Sequence, residues 1–209
     1  MENINSADLH SHSENIFSEA SHICHIFNDD SERVKTITKY YLNSFSSRKR
    51  LLCIVDSITP HDMKKELQAL GIDTSILNDS FITTDNDSTY YRDGSFKPEN
   101  IFTGVRAFCD QAKGDGFTGG IGVSGDMSWI LRNKVDTASV MEYETSVTEF
   151  LKTLPCTAVC EYDARKFDGS LIMDILAVHP VMLIRGQVVK NPYFIPPKDF
   201  MAHYYARPN

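Results

Sequence analysis

Two segments of this 209-residue chain place acidic and aromatic side chains directly after an apolar run. They read GVSGDMSW over Gly122–Trp129 and CEYDARKF over Cys160–Phe167. In an open α/β sheet, ligands bind in the crevice outside the carboxyl ends of the strands, where a chain changes composition in this way. Aromatic rings with a few polar anchors suit a small or moderately apolar ligand. The sequence therefore predicts a small-molecule site at these two strand ends.

Phosphate chemistry is disfavoured by the turn that follows the first predicted strand. This turn reads NDDS over Asn28–Ser31, with two carboxylates and neither glycine nor lysine. A phosphate site at a strand-to-helix turn needs free backbone amides and positive charge. The glycines between Gly114 and Gly122 do not lie between a strand and a helix, so we interpret them as a turn and close backbone packing.

Neither metal ligation nor nucleophilic catalysis has a complete signature. On a strand, His22 and Cys24 share one face and His25 points to the other, and no fourth ligand lies at a suitable spacing. Ser124 lies in a sequence that resembles the Gly-x-Ser-x-Gly elbow without matching it, and no partner base is evident. We therefore expect no catalytic residue, no metal and no cofactor, and we predict that the protein is not an enzyme. Four of the five cysteines, Cys24, Cys53, Cys156 and Cys160, lie in apolar, strand-like runs and are predicted to be buried, reduced thiols, with a redox switch as the alternative.

A helix predicted over residues 138–154 carries two glutamates, Glu142 and Glu144, on either side of Tyr143. Residues two apart on a helix point in nearly opposite directions, so at most one of them faces inward. Because Tyr143 and its apolar neighbours indicate that this helix packs, one glutamate is predicted to be buried. We expect it to pair with Arg132 or Arg165.

The composition argues against several partners. A formal net charge of −7 disfavours a nucleic-acid surface, which needs clustered lysine and arginine. No apolar run approaches the ~20 residues of a membrane span. The polar N-terminus lacks the apolar core of a signal peptide. We expect a cytoplasmic protein that contacts neither nucleic acid nor membrane.

Short apolar runs alternate with longer helical patterns along the chain. Strands are predicted at 21–27, 51–55, 81–83, 117–123 and 155–161, and helices at about 31–46, 60–70, 98–113, 138–154 and 169–178. A hairpin joins 181–184 to 187–189. The alternation predicts an α/β fold with a mostly parallel central sheet, helices on both faces and an antiparallel hairpin at the C-terminal edge. We divide the chain into a polar leader (1–20), a single domain (21–197) and a C-terminal tail (198–209).

Several short motifs occur in an order that is more specific than any one of them. They are His22–Phe27, Cys53–Pro60, Gly125–Trp129, Glu142–Glu144, Cys160–Asp163 with Arg165 and Phe167, His179-Pro180 and Asn191–Tyr193. In this order they resemble the MEDS domain, the methanogen/methylotroph sensory domain found in the dichloromethane-responsive repressor. The resemblance covers about residues 20–197, and the family usually has Glu where Asp126 stands.

The resemblance implies a non-catalytic sensory module of prokaryotic signal transduction that binds a small molecule, such as a simple hydrocarbon or one-carbon derivative. It implies partners among histidine kinase or transcription-regulator modules, and we also expect a homodimer. The element order looks like a RecA/KaiC-type core without its phosphate loop. The candidate ligand-binding residues are His22, Asn28, Asp56, Tyr91, Asp126, Trp129, Tyr143, Glu161, Tyr162, Arg165 and His179.

Two other functions stay open at this point. The RecA-like order and the acids after the strands also suit a degenerate nucleotide-binding protein or ATPase. A surface that only pairs with a kinase or regulator would make the chain an interaction scaffold. ATP hydrolysis separates the enzyme from the sensor, and small-molecule binding separates the sensor from the scaffold.

Overall fold

Seven strands form one sheet in the computed structural model, which describes residues 21–57, 59–69, 71–73, 79–91 and 94–207. The predicted leader, residues 1–20, lies outside these ranges. The strands are β1 (Ser21–Phe27), β2 (Arg50–Val55), β3 (Phe81–Asp85), β4 (Ile121–Asp126), β5 (Cys156–Asp163), β6 (Val181–Ile184) and β7 (Gln187–Lys190).

Eight helices accompany the sheet in the same part of the chain. They are α1 (Asp30–Ser46), α2 (Pro60–Ala69), α3 (Asn86–Thr89), α4 (Pro98–Gly114), α5 (Trp129–Arg132), α6 (Thr137–Leu151), α7 (Gly169–Val178) and α8 (Pro197–Tyr205). None of these helices combines the length and the apolar character needed to cross a membrane.

The strand order is β3-β2-β4-β5-β1-β6-β7, and all neighbours are parallel except β6 and β7. Helices α1 and α2 pack on one face of the sheet, while α4, α6, α7 and α8 pack on the other. The connections that lead from one strand to the next in the direction of the β3 edge cross the face covered by α1 and α2. The connections that lead in the direction of the β7 edge cross the opposite face. This is the arrangement that right-handed crossovers require. This confirms the predicted fold class. Neighbouring connections leave on opposite faces at the carboxyl ends of β1 and β5 and of β2 and β4, which is where ligand crevices are expected in a sheet of this kind.

The first helix begins where the sequence predicts. The Asp29 carboxylate accepts a hydrogen bond from the backbone N–H of Glu32, at 2.8 Å, and so caps α1. A carboxylate thus occupies the helix N-terminus at which a phosphate loop would hold its anion. This geometry agrees with the absence of a phosphate-binding signature in the sequence.

Several features differ from the sequence prediction, including the short helices α3 and α5, which form in segments predicted to be a loop and a linker. The strand predicted over 117–123 begins at Ile121, and the helix predicted to end at residue 154 ends at Leu151. Helix α8 forms within the segment predicted to be a tail, and its Phe200 is buried in the core. The tail is therefore part of the packed domain in the range that the structure describes.

Backbone packing explains why β4 begins after two glycines. A Cβ atom on Gly119 would lie 1.9 Å from the carbonyl oxygen of Ser47, and one on Gly120 would lie 2.1 Å from that of Pro155. Gly120 also has a φ angle of +78°. These contacts confirm the prediction of close backbone packing in this stretch.

We expect Gly120→Ala to lower the free energy of unfolding by about 2–3 kcal/mol, because the clash adds to the cost of a positive φ angle. Urea denaturation followed by circular dichroism measures the change. Gly116→Ala is the control, since Gly116 has a φ angle of +87° with no atom within 4 Å of the added Cβ. Equal losses in the two variants would contradict the role assigned to the contact with Pro155.

Candidate functional site

The two predicted strand-end acids are joined by an arginine of α1. Arg33 Nε donates to Glu161 Oε2 at 2.9 Å, and Arg33 Nη2 donates to Asp126 Oδ2 at 3.0 Å. The backbone N–H of Ser57 also donates to Asp126 Oδ2, at 3.0 Å, and the Ser57 hydroxyl donates to the same oxygen. All three charged residues are buried. The acids therefore form a buried ion-pair network rather than the open wall of a crevice.

Electrostatics keep this network ionised near neutral pH. Burial raises the pKa of Asp126, but the Arg33 guanidinium and hydrogen bonds from Ser57 and Ser128 outweigh burial and lower the net pKa. The pKa of Glu161 is lowered in the same way, since Arg33 and His25 outweigh its burial. Both carboxylates are therefore ionised and form ion pairs with Arg33.

An open groove of about 770 Å³ lies above this network, at the carboxyl ends of the strands. Arg33 and Ser57 line its floor side, and Asp163 and Arg165 contribute from the end of β5. Hydrogen bonds from Arg165, with burial opposing them, lower the pKa of Asp163 to about 2. Arg165 also pairs with Asp30 at 2.6 Å. The groove has both apolar and charged lining residues, and four of the charged ones, Asp30, Asp163, Arg165 and Lys166, pair with one another.

The only tryptophan lies inside an aromatic cluster. Trp129 has no exposed surface and stacks on Tyr90 with a centroid distance of 4.4 Å. The ring centroid of Phe96 lies 4.9 Å from that of Trp129, and the ring centroid of Tyr91 lies 5.9 Å from it. Tyr143 contacts the ring of Tyr90 at 6.0 Å. Trp129 therefore packs in the core beside the rim and does not face an open crevice.

A small apolar cavity of about 30 Å³ lies between the sheet and helices α4 and α6. Tyr90 and Tyr143 of the aromatic cluster line one part of it, and Cys160 of β5 lines another. The remaining surface is mainly aliphatic and aromatic, with Ile54, Ile101, Val105, Val123, Val147 and Phe150 among the lining residues.

A second polar cluster is buried on the same face of the sheet. It brings together His22 of β1, Glu144 of α6, Cys160 of β5 and His179, which follows α7. Glu144 Oε2 lies 3.1 Å from His22 Nε2 and 3.3 Å from His179 Nε2, and His22 Nε2 lies 3.4 Å from Cys160 Sγ. The Tyr162 hydroxyl donates a hydrogen bond to Glu144 Oε1. We call these four residues the His/Glu/Cys cluster.

Burial and mutual contact set the charges in this cluster. Burial and the neighbouring His179 lower the pKa of His22 to about 4. Burial raises the pKa of Glu144, but the two imidazoles outweigh it and bring the pKa well below its usual range. Burial and Glu144 raise the pKa of the Cys160 thiol. At neutral pH without a further cation, the cluster therefore holds a carboxylate, a neutral His22 and a protonated thiol.

The glutamate prediction is correct about burial and wrong about the partner. Glu144 is the buried one and Glu142 is exposed, but Glu144 meets His22, His179 and Tyr162. The two arginines predicted as partners pair elsewhere, Arg132 with Asp56 and Asp87, and Arg165 with Asp163 and Asp30.

The predicted site residues separate into four groups. Asp126 and Glu161 both pair with Arg33, and His22, His179 and Tyr162 surround Glu144. Trp129, Tyr91 and Tyr143 belong to the aromatic cluster. The remaining three, Asn28, Asp56 and Arg165, lie at the rim. The sequence reasoning did not include Arg33, Ser57, Glu144 and Cys160 among the site residues. Arg33 and Glu144 each lie on the buried face of their helix, among apolar and hydroxyl-bearing residues, so their helical spacing from those apolar residues is the sequence signal that could have found them.

Comparison with known proteins adds one match. The sequence model of the family described as MEDS, the MEthanogen/methylotroph, DcmR Sensory domain, matches residues 21–180. All of the predicted site residues fall within this range. No curated protein matches the chain. The likeness to a RecA/KaiC-type core stays a prediction.

Proposed function

Because the chain belongs to the MEDS family of sensory domains, we propose that it senses a very small, largely apolar molecule. The observation that carries this proposal is the cavity of about 30 Å³ beneath α4 and α6. A cavity needs about 10–15 Å³ to hold one water molecule, so this one has room for about two water-sized groups. Its size and its apolar lining suit a one-carbon or short hydrocarbon derivative, such as dichloromethane or methanol.

The few polar atoms around the cavity would orient such a ligand. The hydroxyls of Tyr90 and Tyr143 and the thiol of Cys160 belong to residues of an otherwise apolar lining. This is the usual composition of a small-molecule site, in which apolar surface provides affinity and single polar groups provide selectivity. The proposed function is ligand binding without catalysis.

Helix α6 is the element through which occupancy would act on the rest of the domain. It provides Tyr143, Val147 and Phe150 to the cavity, and it packs against both α7 and α8. A ligand shifts such packing only to the extent that it binds one arrangement more tightly than the other. We propose that a histidine kinase or transcription-regulator module reads this shift, and that the rim groove is an alternative ligand site.

Filling the cavity tests the proposal. Val105→Leu adds one methylene group at its wall and is expected to abolish the response to dichloromethane, methanol and xenon. Val140→Leu is the matched control, because Val140 is a buried core residue outside the cavity lining. The response is read as a change in Trp129 fluorescence, since Trp129 stacks on the cavity residue Tyr90, and as a rise in melting temperature.

If none of these compounds changes the Trp129 fluorescence or the melting temperature of the wild-type protein, the proposed ligand class is contradicted. Retention of the full response in Val105→Leu would contradict the location, and the rim groove would then be the better candidate. ATP serves as a negative probe, and tight ATP binding would favour the degenerate nucleotide-binding alternative.

A further inference from the structure

We propose that the His/Glu/Cys cluster is a binding site for one divalent transition metal ion of the zinc type. The proposed ligand atoms are Nε2 of His22, Nε2 of His179, Oε2 of Glu144 and Sγ of Cys160. They come from four separate elements and lie within 4.8 Å of one another. This site lies beside the proposed ligand cavity, and metal binding does not depend on the cavity being occupied.

Three distances in the cluster resemble those between ligands of a tetrahedral zinc ion. Bond lengths of about 2.0–2.3 Å place neighbouring tetrahedral ligands about 3.3–3.6 Å apart. The pairs that involve Glu144 Oε2 lie 3.1 and 3.3 Å apart, and His22 Nε2 lies 3.4 Å from Cys160 Sγ. Small side-chain adjustments would bring the remaining pairs into the same range.

The orientation of His179 directs one of its ring nitrogens at the Glu144 carboxylate. Its Nδ1 lies 2.7 Å from the carbonyl oxygen of Ile175, which can only accept, so Nδ1 carries the proton. In the neutral ring, Nε2 then presents a lone pair to the Glu144 carboxylate. Within the described chain, neither His179 Nε2 nor Glu144 Oε2 has a hydrogen-bond partner, although both atoms are fully buried. A metal ion between them would give both atoms a partner.

Each of the two histidines and the glutamate is also held by a second hydrogen-bonding partner, as the ligands of metal sites usually are. His22 Nδ1 lies 2.8 Å from Thr148 Oγ1, and that hydroxyl can donate in turn to the carbonyl oxygen of Val178 at 3.2 Å. The ring of His179 is fixed by Ile175, and Oε1 of Glu144 is held by the Tyr162 hydroxyl. Metal-bound histidines almost always donate their other ring nitrogen to such a partner, which fixes the tautomer and the ring orientation.

The ligand types select the class of metal. Two imidazoles, one carboxylate and one thiolate suit zinc or cobalt, whereas calcium and magnesium prefer oxygen ligands alone. Cys160 would lose its proton on binding, and the metal charge would compensate for the cost of a buried thiolate. A pocket of about 270 Å³ is lined by His22, Thr148 and Pro180 among others, so it approaches the cluster from the side of His22. Since Cys160 also lines the apolar cavity, a bound metal would lie beside the proposed ligand.

The test is metal binding by the untagged protein after removal of metals with a chelator. Native mass spectrometry with Zn²⁺ is expected to give one ion per chain, and Zn²⁺ is expected to raise the melting temperature. Titration with Co²⁺ is expected to produce a thiolate-to-cobalt charge-transfer band in the near ultraviolet. Cys160→Ser should abolish that band. Cys24→Ser is the matched control and should keep it, because Cys24 is buried on the same sheet face but outside the cluster.

Glu144→Gln is a second variant that keeps the side-chain size and removes the charge. We expect it to weaken Zn²⁺ binding by at least the tenfold that outer-sphere losses commonly cause. The far-ultraviolet circular dichroism of each variant checks folding. Absence of a one-to-one Zn²⁺ complex in the wild-type protein, or a cobalt–thiolate band that survives in Cys160→Ser, would overturn the proposal. Since Val105→Leu should still bind Zn²⁺, failure of the metal site and failure of the ligand cavity are separable.

Discussion

Replacing Arg33 with methionine is expected to lower the free energy of unfolding by about 3–5 kcal/mol at neutral pH. The side chain is 9 % exposed and neutralises two carboxylates that are nearly inaccessible, Asp126 and Glu161. Methionine keeps much of the apolar stem but leaves two buried charges without their cation. Urea denaturation followed by circular dichroism measures the loss.

Arg132→Met is the matched control for this prediction. Arg132 also contacts two carboxylates, those of Asp56 and Asp87, but its side chain is 46 % exposed. Solvent screens an exposed ion pair, so we expect a loss of less than about 1 kcal/mol. Equal losses in the two variants would contradict the importance of burial.

The pH dependence of the Arg33 variant has a definite sign. In the wild-type protein the pKa of Asp126 is lowered, so its stabilising contribution is present above the usual pKa of an aspartate and is lost as pH falls through the folded pKa. Without Arg33, burial dominates and raises the pKa of Asp126. The difference in stability between wild type and variant should therefore shrink as the pH is lowered from 7 toward 4. A difference that grows over this range would contradict the assigned ion pair.

Strand positions followed from the sequence because a parallel strand covered on both faces must be apolar along its length. Every residue of β5, Cys156–Asp163, is buried, and the sequence there is a short apolar run that ends in acids. Helix α8 was not predicted, because the prolines before it indicate irregular backbone. Its buried Pro197 and Phe200 and its partly buried Met201 and Tyr204 do follow helical spacing, but this pattern extends over only two turns.

The site was harder to predict than the fold because its partners are distant in sequence. Arg33 is 93 residues from Asp126 and 128 residues from Glu161. Strand-end position correctly indicated that these acids lie at one edge of the sheet, but it could not indicate that a helix residue neutralises them. The same limit applies to Glu144, whose contacts with His22 and His179 depend on how α6 crosses β1 and the end of α7.

Trp129→Ala is expected to lower the free energy of unfolding by about 3–5 kcal/mol, because it removes the largest side chain of the aromatic cluster. Trp129 has no exposed surface and contacts the rings of Tyr90 and Phe96 at 4.4 and 4.9 Å. Trp129→Phe is expected to cost less than about 1.5 kcal/mol, since an aromatic ring still fills most of the space. Urea denaturation followed by far-ultraviolet circular dichroism suits both variants, which lack the fluorescent tryptophan.

The small cost expected for phenylalanine follows from the hydrogen bonding of the indole. In the described residues, Trp129 Nε1 is buried without a hydrogen-bond partner. Removing an unsatisfied donor sacrifices no hydrogen bond and relieves a desolvation penalty. Tyr193→Ala is the control, since its side chain is 77 % exposed and should contribute within about 0.5 kcal/mol. A cost for phenylalanine equal to that for alanine would contradict the inference that the indole N–H contributes no stabilising hydrogen bond.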